Sequence, residues 1–234
     1  MLVDLVFPPV CALCHRRLSL AHRVFCESCE QAMAVCLPPL CQRCGASLVG
    51  AFDLRTNCGR CRSRSFAFER ARAPLVYAGR SREAVLAFKY HDRRQIGRWL
   101  ATHMARLAEQ ALPISEIDAV VPVPLHWLKR RIRGAYPAAL LAHGVAKALQ
   151  RPCLSRALRR TRWTTTQTRL TTSRRFRNVA DAFRARPSTV NGRAILLVDD
   201  VLTTGATADA CAAALREAGA VAVYALTAAC APAA

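Results

Sequence analysis

No apolar run in this sequence approaches the roughly 20 residues that a bilayer-spanning helix needs, so membrane insertion is not expected. The first nine residues, Met1 to Pro9, carry no basic segment and place Asp4 inside a short apolar stretch, unlike a secretory signal. A cytoplasmic chain is therefore expected. Gly-Lys-Ser/Thr is missing throughout, which excludes a Walker A phosphate loop. Aromatics are sparse at 6%, and acids are few, 15 against 35 basic residues, for a net charge of +20. At 234 residues there is still room for one full domain and a smaller one.

The charge is unevenly placed. Residues 1–62 carry seven basic and four acidic side chains, whereas residues 63–234 carry 28 and 11, a surplus of 17. Such a surface attracts phosphorylated small molecules, nucleotides or nucleic acid. An arginine-rich, alanine-rich composition that serves solubility is the plainer alternative.

Cysteine shows the opposite bias, with nine of twelve in the first 62 residues. Eight form four Cys-x-x-Cys pairs: Cys11/Cys14, Cys26/Cys29, Cys41/Cys44 and Cys58/Cys61. Each pair can place two thiolates on one knuckle, and two knuckles complete a tetrahedral Zn²⁺ site. Gaps of 11 and 13 residues separate first from second and third from fourth, enough for a short hairpin each. A double zinc ribbon over residues 1–65, holding one or two structural ions, is expected; pairing first with third and second with fourth remains open. A disulfide framework would need an oxidising compartment. Cys11-Ala12-Leu13-Cys14-His15 also matches a haem-attachment pattern, which would leave three pairs unexplained. Cys36 lies outside the pairs, and Cys153, Cys211 and Cys230 read as small core residues.

The most specific stretch is Ile195-Leu196-Leu197-Val198-Asp199-Asp200-Val201-Leu202-Thr203-Thr204-Gly205-Ala206-Thr207. A short apolar run suits a strand buried on both faces. Two carboxylates follow, then a hydroxyl-rich turn into a helix from about Gly205. Backbone N–H groups at a helix start, with the hydroxyls of Thr204 and Thr207, would form a cup for a phosphomonoester. Asp199 and Asp200 would accept hydrogen bonds from vicinal sugar hydroxyls or face Mg²⁺. This pattern resembles the phosphoribosyl pyrophosphate (PRPP) signature of type I phosphoribosyltransferases, which implies their α/β fold with a central parallel sheet over residues 66–234.

Several elements are expected around it. Residues 63–74 read as an arginine-rich connection, Leu75 to Ala78 as a strand, and Ser81 as the cap of a helix that ends at Phe88-Lys89-Tyr90-His91. Lys89 and His91 either reach the active site or, as the favoured reading has it, lie in solvent at that helix end. A second helix over about 93–111 turns Ile96, Leu100, Met104 and Leu107 inward. Ile117 to Pro124 reads as a buried strand leading into the basic loop Leu125 to Gly134. A cis X-Pro bond within Val121-Pro122-Val123-Pro124 is considered, because a cradle for pyrophosphate needs unusual backbone geometry. A helix over 137–149 would bury Leu140, Leu141, Val145 and Leu149. Arg159 to Arg177 holds seven arginines, seven threonines and no acid, and reads as a cationic loop leading into a short helix.

The combination is similar to the ComF family: four Cys-x-x-Cys pairs, Phe88-Lys89-Tyr90-His91, Val121-Pro122-Val123-Pro124-Leu125-His126, Arg159-Arg160-Thr161 with Gln167 and Asn178, and the paired-Asp motif. The middle of the chain also resembles the phosphoribosyltransferase half of glutamine PRPP amidotransferase. ComF resemblance implies a role in DNA uptake during natural transformation, with single-stranded DNA and a competence helicase as partners. It also implies PRPP binding with Mg²⁺, through Asp199 and Asp200, the turn Thr203, Thr204, Gly205, Ala206 and Thr207, the segment of Val123, Pro124 and Arg133, and Arg162 and Arg169. Lys129, Arg130, Arg131, Arg174, Arg175 and Arg177 are the expected nucleic-acid contacts. The alternative is an active phosphoribosyltransferase of nucleotide metabolism or salvage. Where the family has Arg-Gly-Phe-Asn-Gln, this chain has Arg133-Gly134-Ala135-Tyr136-Pro137, a departure that bears on catalysis more than on binding.

Overall fold

Cysteine spacing dictates the N-terminal architecture in the computed structural model, which describes residues 9–19, 24–48, 56–90, 94–125, 136–162, 176, 178–179 and 181–232. One unit is used twice. In the first copy Val10 bridges Arg17 around Cys11 and Cys14, and Cys26 caps the short helix α1 (Glu27–Gln31). In the second, Leu40 bridges Ser47 around Cys41 and Cys44, and Cys58 caps α2 (Gly59–Arg62). The knuckles match bond for bond: the His15 N–H donates to the Cys11 carbonyl at 3.0 Å, and the Gly45 N–H to that of Cys41 at 2.9 Å.

The remaining chain alternates strand and helix. It runs β1 (Arg70–Arg72), β2 (Leu75–Val76), α3 (Gly79–Tyr90), α4 (Arg94–Ala111), β3 (Ala119–Pro122), α5 (Pro137–Ala148), β4 (Leu158–Arg160), β5 (Phe183–Ala185), α6 (Pro187–Val190), β6 (Ala194–Leu202), α7 (Ala206–Glu217) and β7 (Ala222–Cys230). The main sheet is parallel, in the order β1-β7-β6-β3, with β2 also pairing β7. This is the expected type I phosphoribosyltransferase architecture behind a cysteine-rich double ribbon. β4 and β5 form a separate antiparallel pair.

Strand alternation sorts the core into two layers. Ile195 and Leu197 of β6 pack with α7, β5 and the second cysteine unit; Leu196 and Val198 pack with α4, α5 and the first. Burial on both faces is why β6 is apolar at every position up to Val198. Backbone bonds also join the N-terminal units to the sheet. The Ala71 N–H donates to the Arg43 carbonyl at 2.7 Å, the Val76 N–H to that of Ala34 at 2.8 Å, and the Cys36 N–H to that of Pro74 at 3.0 Å. Helix α7 ends as expected, with Gly219 at φ +95.

Several expectations are corrected. The connection 63–74 contains β1, and β4 takes the first residues of the stretch read as a loop from Arg159, while Phe176, Asn178 and Val179 are helical, as the short helix expected there requires. Ser81 lies inside α3 rather than capping it, and its buried hydroxyl donates to the Ala34 carbonyl at 3.0 Å. Leu140 is 40% exposed, because α5 turns Leu141, Ala142 and Val145 inward instead. Leu107 is half-buried, and Ala108 takes the inward position on α4. The cis bond among the described residues is Pro38-Pro39, not one in Val121–Pro124. There the chain stays extended, with Pro122 opposite Val198 and the Val123 N–H donating to the Val198 carbonyl at 2.8 Å. No helix among the described residues is long and apolar enough to cross a membrane.

Candidate functional site

The eight paired cysteines gather into two clusters, Cys11/Cys14/Cys26/Cys29 and Cys41/Cys44/Cys58/Cys61, each with its sulfurs within 4.8 Å of one another. Four sulfurs at the tetrahedral Zn–S distance of about 2.3 Å would stand roughly 3.8 Å apart. Cys14 and Cys26 are 3.5 Å apart and Cys44 and Cys58 3.7 Å. The donor set therefore fits a structural zinc ion in each cluster, and the sequential pairing is the one formed. The crossed pairing is overturned, and so is haem attachment, since Cys11 and Cys14 are half of a four-sulfur set.

Strand β6 does not stop at its apolar run. It carries both carboxylates and ends at Leu202, so Asp199 and Asp200 project to opposite sides of the sheet. On one side the Lys89 ammonium, from the last turn of α3, meets Asp200 Oδ1 at 2.9 Å. Of the two readings of Lys89, the solvated one is corrected and the one that brings it to the site holds: the fold lays α3 across the strand ends and half-buries it. Burial works against the ammonium, but the charges of Asp200 and Asp199 outweigh it and hold its pKa above the ordinary lysine value. On the other side lie Arg160 of β4 and Cys211 of α7. Burial above all, and then the Asp200 charge, pushes Asp199 up to about 8. The Asp200 N–H, which donates to Asp199 Oδ1 at 2.8 Å, and the Lys89 and Arg160 charges pull the other way.

Beyond the strand the chain turns through Thr203, Thr204 and Gly205 into α7. Gly205 sits at φ +86, a left-handed conformation that glycine adopts without penalty. A cleft of about 350 Å³ opens here, lined by Lys89, Asp199, Asp200, Thr203, Gly205 and Thr207 among others. Ala206 and Ala208 line it as well, so the first turn of a twelve-residue helix borders the same space as Asp199, Asp200 and Lys89. Thr204 has a different role: its hydroxyl accepts the Ala206 N–H at 3.4 Å. Tyr77 and Thr227, which sequence reasoning did not single out, complete the wall.

The other expected ligands are farther from this cleft or outside the described residues. Val123 and Pro124 are buried at the end of β3, where the Tyr136 hydroxyl donates to the Val123 carbonyl at 2.8 Å. Tyr136 thus occupies the start of α5 where the resembled family has polar residues. Arg162 is exposed after β4 and does not line the cleft. His91, Lys129, Arg130, Arg131, Arg133, Arg169, Arg174, Arg175 and Arg177 lie outside the described residues.

Comparison with known proteins is consistent across most of the chain. A double zinc ribbon domain model matches residues 2–62. The DNA utilization protein YhgH of Escherichia coli K12 is 32% identical over 226 residues, covering 94% of this chain and 96% of the relative. Competence protein F of Haemophilus influenzae is 28% identical over 218 residues, covering 89% and 91%. Among solved structures, the allosteric regulatory enzyme of purine biosynthesis has a TM-score of 0.42 at 22% identity over 63% of this chain. Glutamine PRPP amidotransferase from B. subtilis has a TM-score of 0.41 at 22% identity over 62%. This chain spans 30% of the length of each of those two structures.

Proposed function

Because the chain belongs to the ComF family, with the DNA utilization protein YhgH and competence protein F as relatives, we propose that its cleft binds the ribose 5-phosphate end of PRPP or a related ligand. We propose further that the protein works in DNA uptake, handling single strands in the cytoplasm. One observation carries the ligand reading: the paired aspartates of β6 and the first turn of α7 line a single cleft. A diol is a pair of hydroxyl donors suited to carboxylates, and a phosphate is a dianion suited to a helix N-terminus. A ribose 5-phosphate presents both, a few bonds apart.

Lys89 already neutralises part of the carboxylate charge. The oxygen donors Asp199 and Asp200 therefore suit a Mg²⁺ ion that arrives with its own anion, the diphosphate of PRPP, better than a bare cation. Of the residues expected to hold that diphosphate, Arg133, Arg162 and Arg169 have the donors for it, whereas Val123 and Pro124 are buried, with the Val123 N–H and carbonyl bonded to Val198 and Tyr136. Binding is favoured over phosphoribosyl transfer by Tyr136, which fills the start of α5 with a hydroxyl bonded to backbone. The deciding experiment is calorimetry of the full chain with PRPP and Mg²⁺, repeated with an added oligonucleotide. Saturable PRPP binding is expected, and its absence at millimolar PRPP would end the ligand reading.

For DNA, the basic side chains Lys129, Arg130, Arg131, Arg174, Arg175 and Arg177 are the proposed phosphate contacts. Replacing Arg174, Arg175 and Arg177 by alanine should weaken single-strand affinity and flatten its salt dependence. The log–log slope should fall by about 0.7 for each phosphate that is no longer neutralised, roughly two in all. Unchanged affinity at low salt would remove these residues from the DNA surface. Exposed Val10, Val35 and Leu37 on the zinc units support a protein-docking face, for which a competence helicase is the proposed partner. Copurification of the helicase with the wild-type chain and equally with Leu37→Glu would count against it.

A further inference from the structure

Arg60 is a cation that neither the cleft nor the zinc site requires as a ligand. It sits in α2 between two cysteines of the second cluster, Cys58 and Cys61, and its guanidinium reaches in two directions. Nη2 donates to Cys44 Sγ at 3.2 Å, and Nη1 donates to the Thr203 carbonyl in the turn between β6 and α7. One side chain therefore joins a zinc-ligating sulfur to the backbone of the proposed phosphate cup.

Two further contacts come from the same direction. The Phe66 ring, just past α2, lies against Gly205 so closely that a Cβ there would stand 2.7 Å from Cε1. The Ala67 N–H donates to Asp209 Oδ1 in the first turn of α7 at 2.8 Å. The turn is thus backed at Thr203, Gly205 and Asp209 by residues 60–67. None of Arg60, Phe66 and Ala67 lines the cleft.

We infer that the second zinc unit is the rear support of the cup, and that Arg60 is a positioning residue coupling that zinc site to ligand binding. The inference rests on the reading of the 203–207 turn as a phosphate cup. Its physical basis is peptide geometry: in a planar trans peptide the carbonyl and the following N–H point opposite ways. Fixing the Thr203 carbonyl on Arg60 fixes the Thr204 N–H away from it. A zinc-bound sulfur is a thiolate, and an arginine N–H bond to an anion is stronger and more directional than one to a neutral thiol. Loss of the metal releases the four sulfurs from their shared arrangement, removes the fixed position of Cys44 Sγ and frees Arg60 to leave the carbonyl. Among the described residues the first zinc unit shows no such link; it packs in the opposite layer, against α3 and α4. Coupling of this kind is reciprocal, so ligand binding should also retain zinc at the second site.

The test uses the full-length, zinc-loaded chain, with hydrogen exchange, metal analysis and calorimetry on wild type, Arg60→Ala and Arg60→Lys, and Arg17→Ala as the control in the first unit. In Arg60→Ala, exchange at residues 203–207 should quicken about tenfold, the scale of one hydrogen bond to a charged group, with residues 195–198 unchanged. Affinity for ribose 5-phosphate should fall by a similar factor while two zinc ions are retained. Arg60→Lys should show the same local quickening, since one ammonium does not span both acceptors, and it decides the matter if the alanine variant loses its metal. Arg17→Ala should change nothing. Wild-type exchange at 203–207 in an Arg60 variant that holds both zinc ions would overturn the coupling. Quickened exchange in a protein whose wild type binds neither ribose 5-phosphate nor PRPP would leave the coupling standing and overturn the cup.

Discussion

Asp199→Asn combined with Asp200→Asn is expected to lower affinity for ribose 5-phosphate by a hundredfold or more while leaving DNA affinity within experimental error. Each carboxylate would accept a hydroxyl of the bound diol, and a hydrogen bond to a charged group contributes about 1.5–3 kcal/mol. Two such losses exceed the 2.7 kcal/mol or so that a hundredfold change requires. The single variants should behave differently. Asp200→Asn strips Lys89 of its ion-pair partner and should lower thermal stability as well as affinity. Asp199→Asn removes the carboxyl that burial pushes up to about 8.

That raised value also sets a pH dependence. Hydroxyl donors favour the ionised carboxylate, so ribose 5-phosphate affinity without Mg²⁺ should climb as pH rises from about 6.5 towards 9 and then level off. In Asp199→Asn the climb should vanish. For folding the sign is reversed, because between the ordinary aspartate pKa and about 8 the folded chain binds more protons than the unfolded one. Asp199 therefore costs stability as pH rises through that window, and Asn at this position should relieve the loss. Calorimetry over a pH series checks the first statement and thermal melts check the second. A double variant that binds within threefold of wild type would dispose of the carboxylate roles.

Removing zinc should have the other large effect. Metal analysis of the purified chain should find two zinc ions, one for each four-sulfur cluster. Structural zinc in small domains supplies roughly 10–16 kcal/mol of apparent folding free energy per site. If even a third of one site's share were lost, a chain of this size would melt roughly 10 °C lower. The loss should reach the sheet as well, because Cys41, Cys44 and Cys58 share a core with Ile195 and Leu197, and Cys11, Cys26 and Cys29 share one with Leu196 and Val198. Chelation should therefore shift the whole melting transition rather than add a small early one. A single ion per chain, or an unshifted transition after complete removal, would contradict this.

What the sequence disclosed follows the range of the forces involved. The cysteine knuckles, the apolar run of β6 and the Gly219 stop are set by residues within a few positions of one another, and all were legible. Long-range placement was not. Nothing near Lys89 says that α3 will cross the strand ends and pair it with a carboxylate 111 positions later. Arg60 looks like one more arginine of a basic chain until the fold brings the Thr203 carbonyl to it. β1 reads Arg-Ala-Arg, too short and too charged to signal a strand, and exists because β7 offers it Tyr224, Ala225 and Leu226. Leu140 and Leu141 are equally apolar, and only the direction from which α4 packs against α5 decides which is buried.

The bonds that Ala34, Cys36 and Arg43 make to Val76, Pro74 and Ala71 bear on how far this protein is modular. β1 and β2 pair with β7 on one side, and Arg43 and Ala34 engage their backbone N–H groups while Cys36 binds the Pro74 carbonyl between them. A chain cut near residue 65 would lose the Arg60 support and the cores shared with the zinc units, and it would also uncover a raw strand edge, a template on which a second molecule can add its own strand. Self-association through β1 and β2 would then stand in for the missing partner. The zinc units also act as the selvedge of the sheet and keep it from extending into its neighbours.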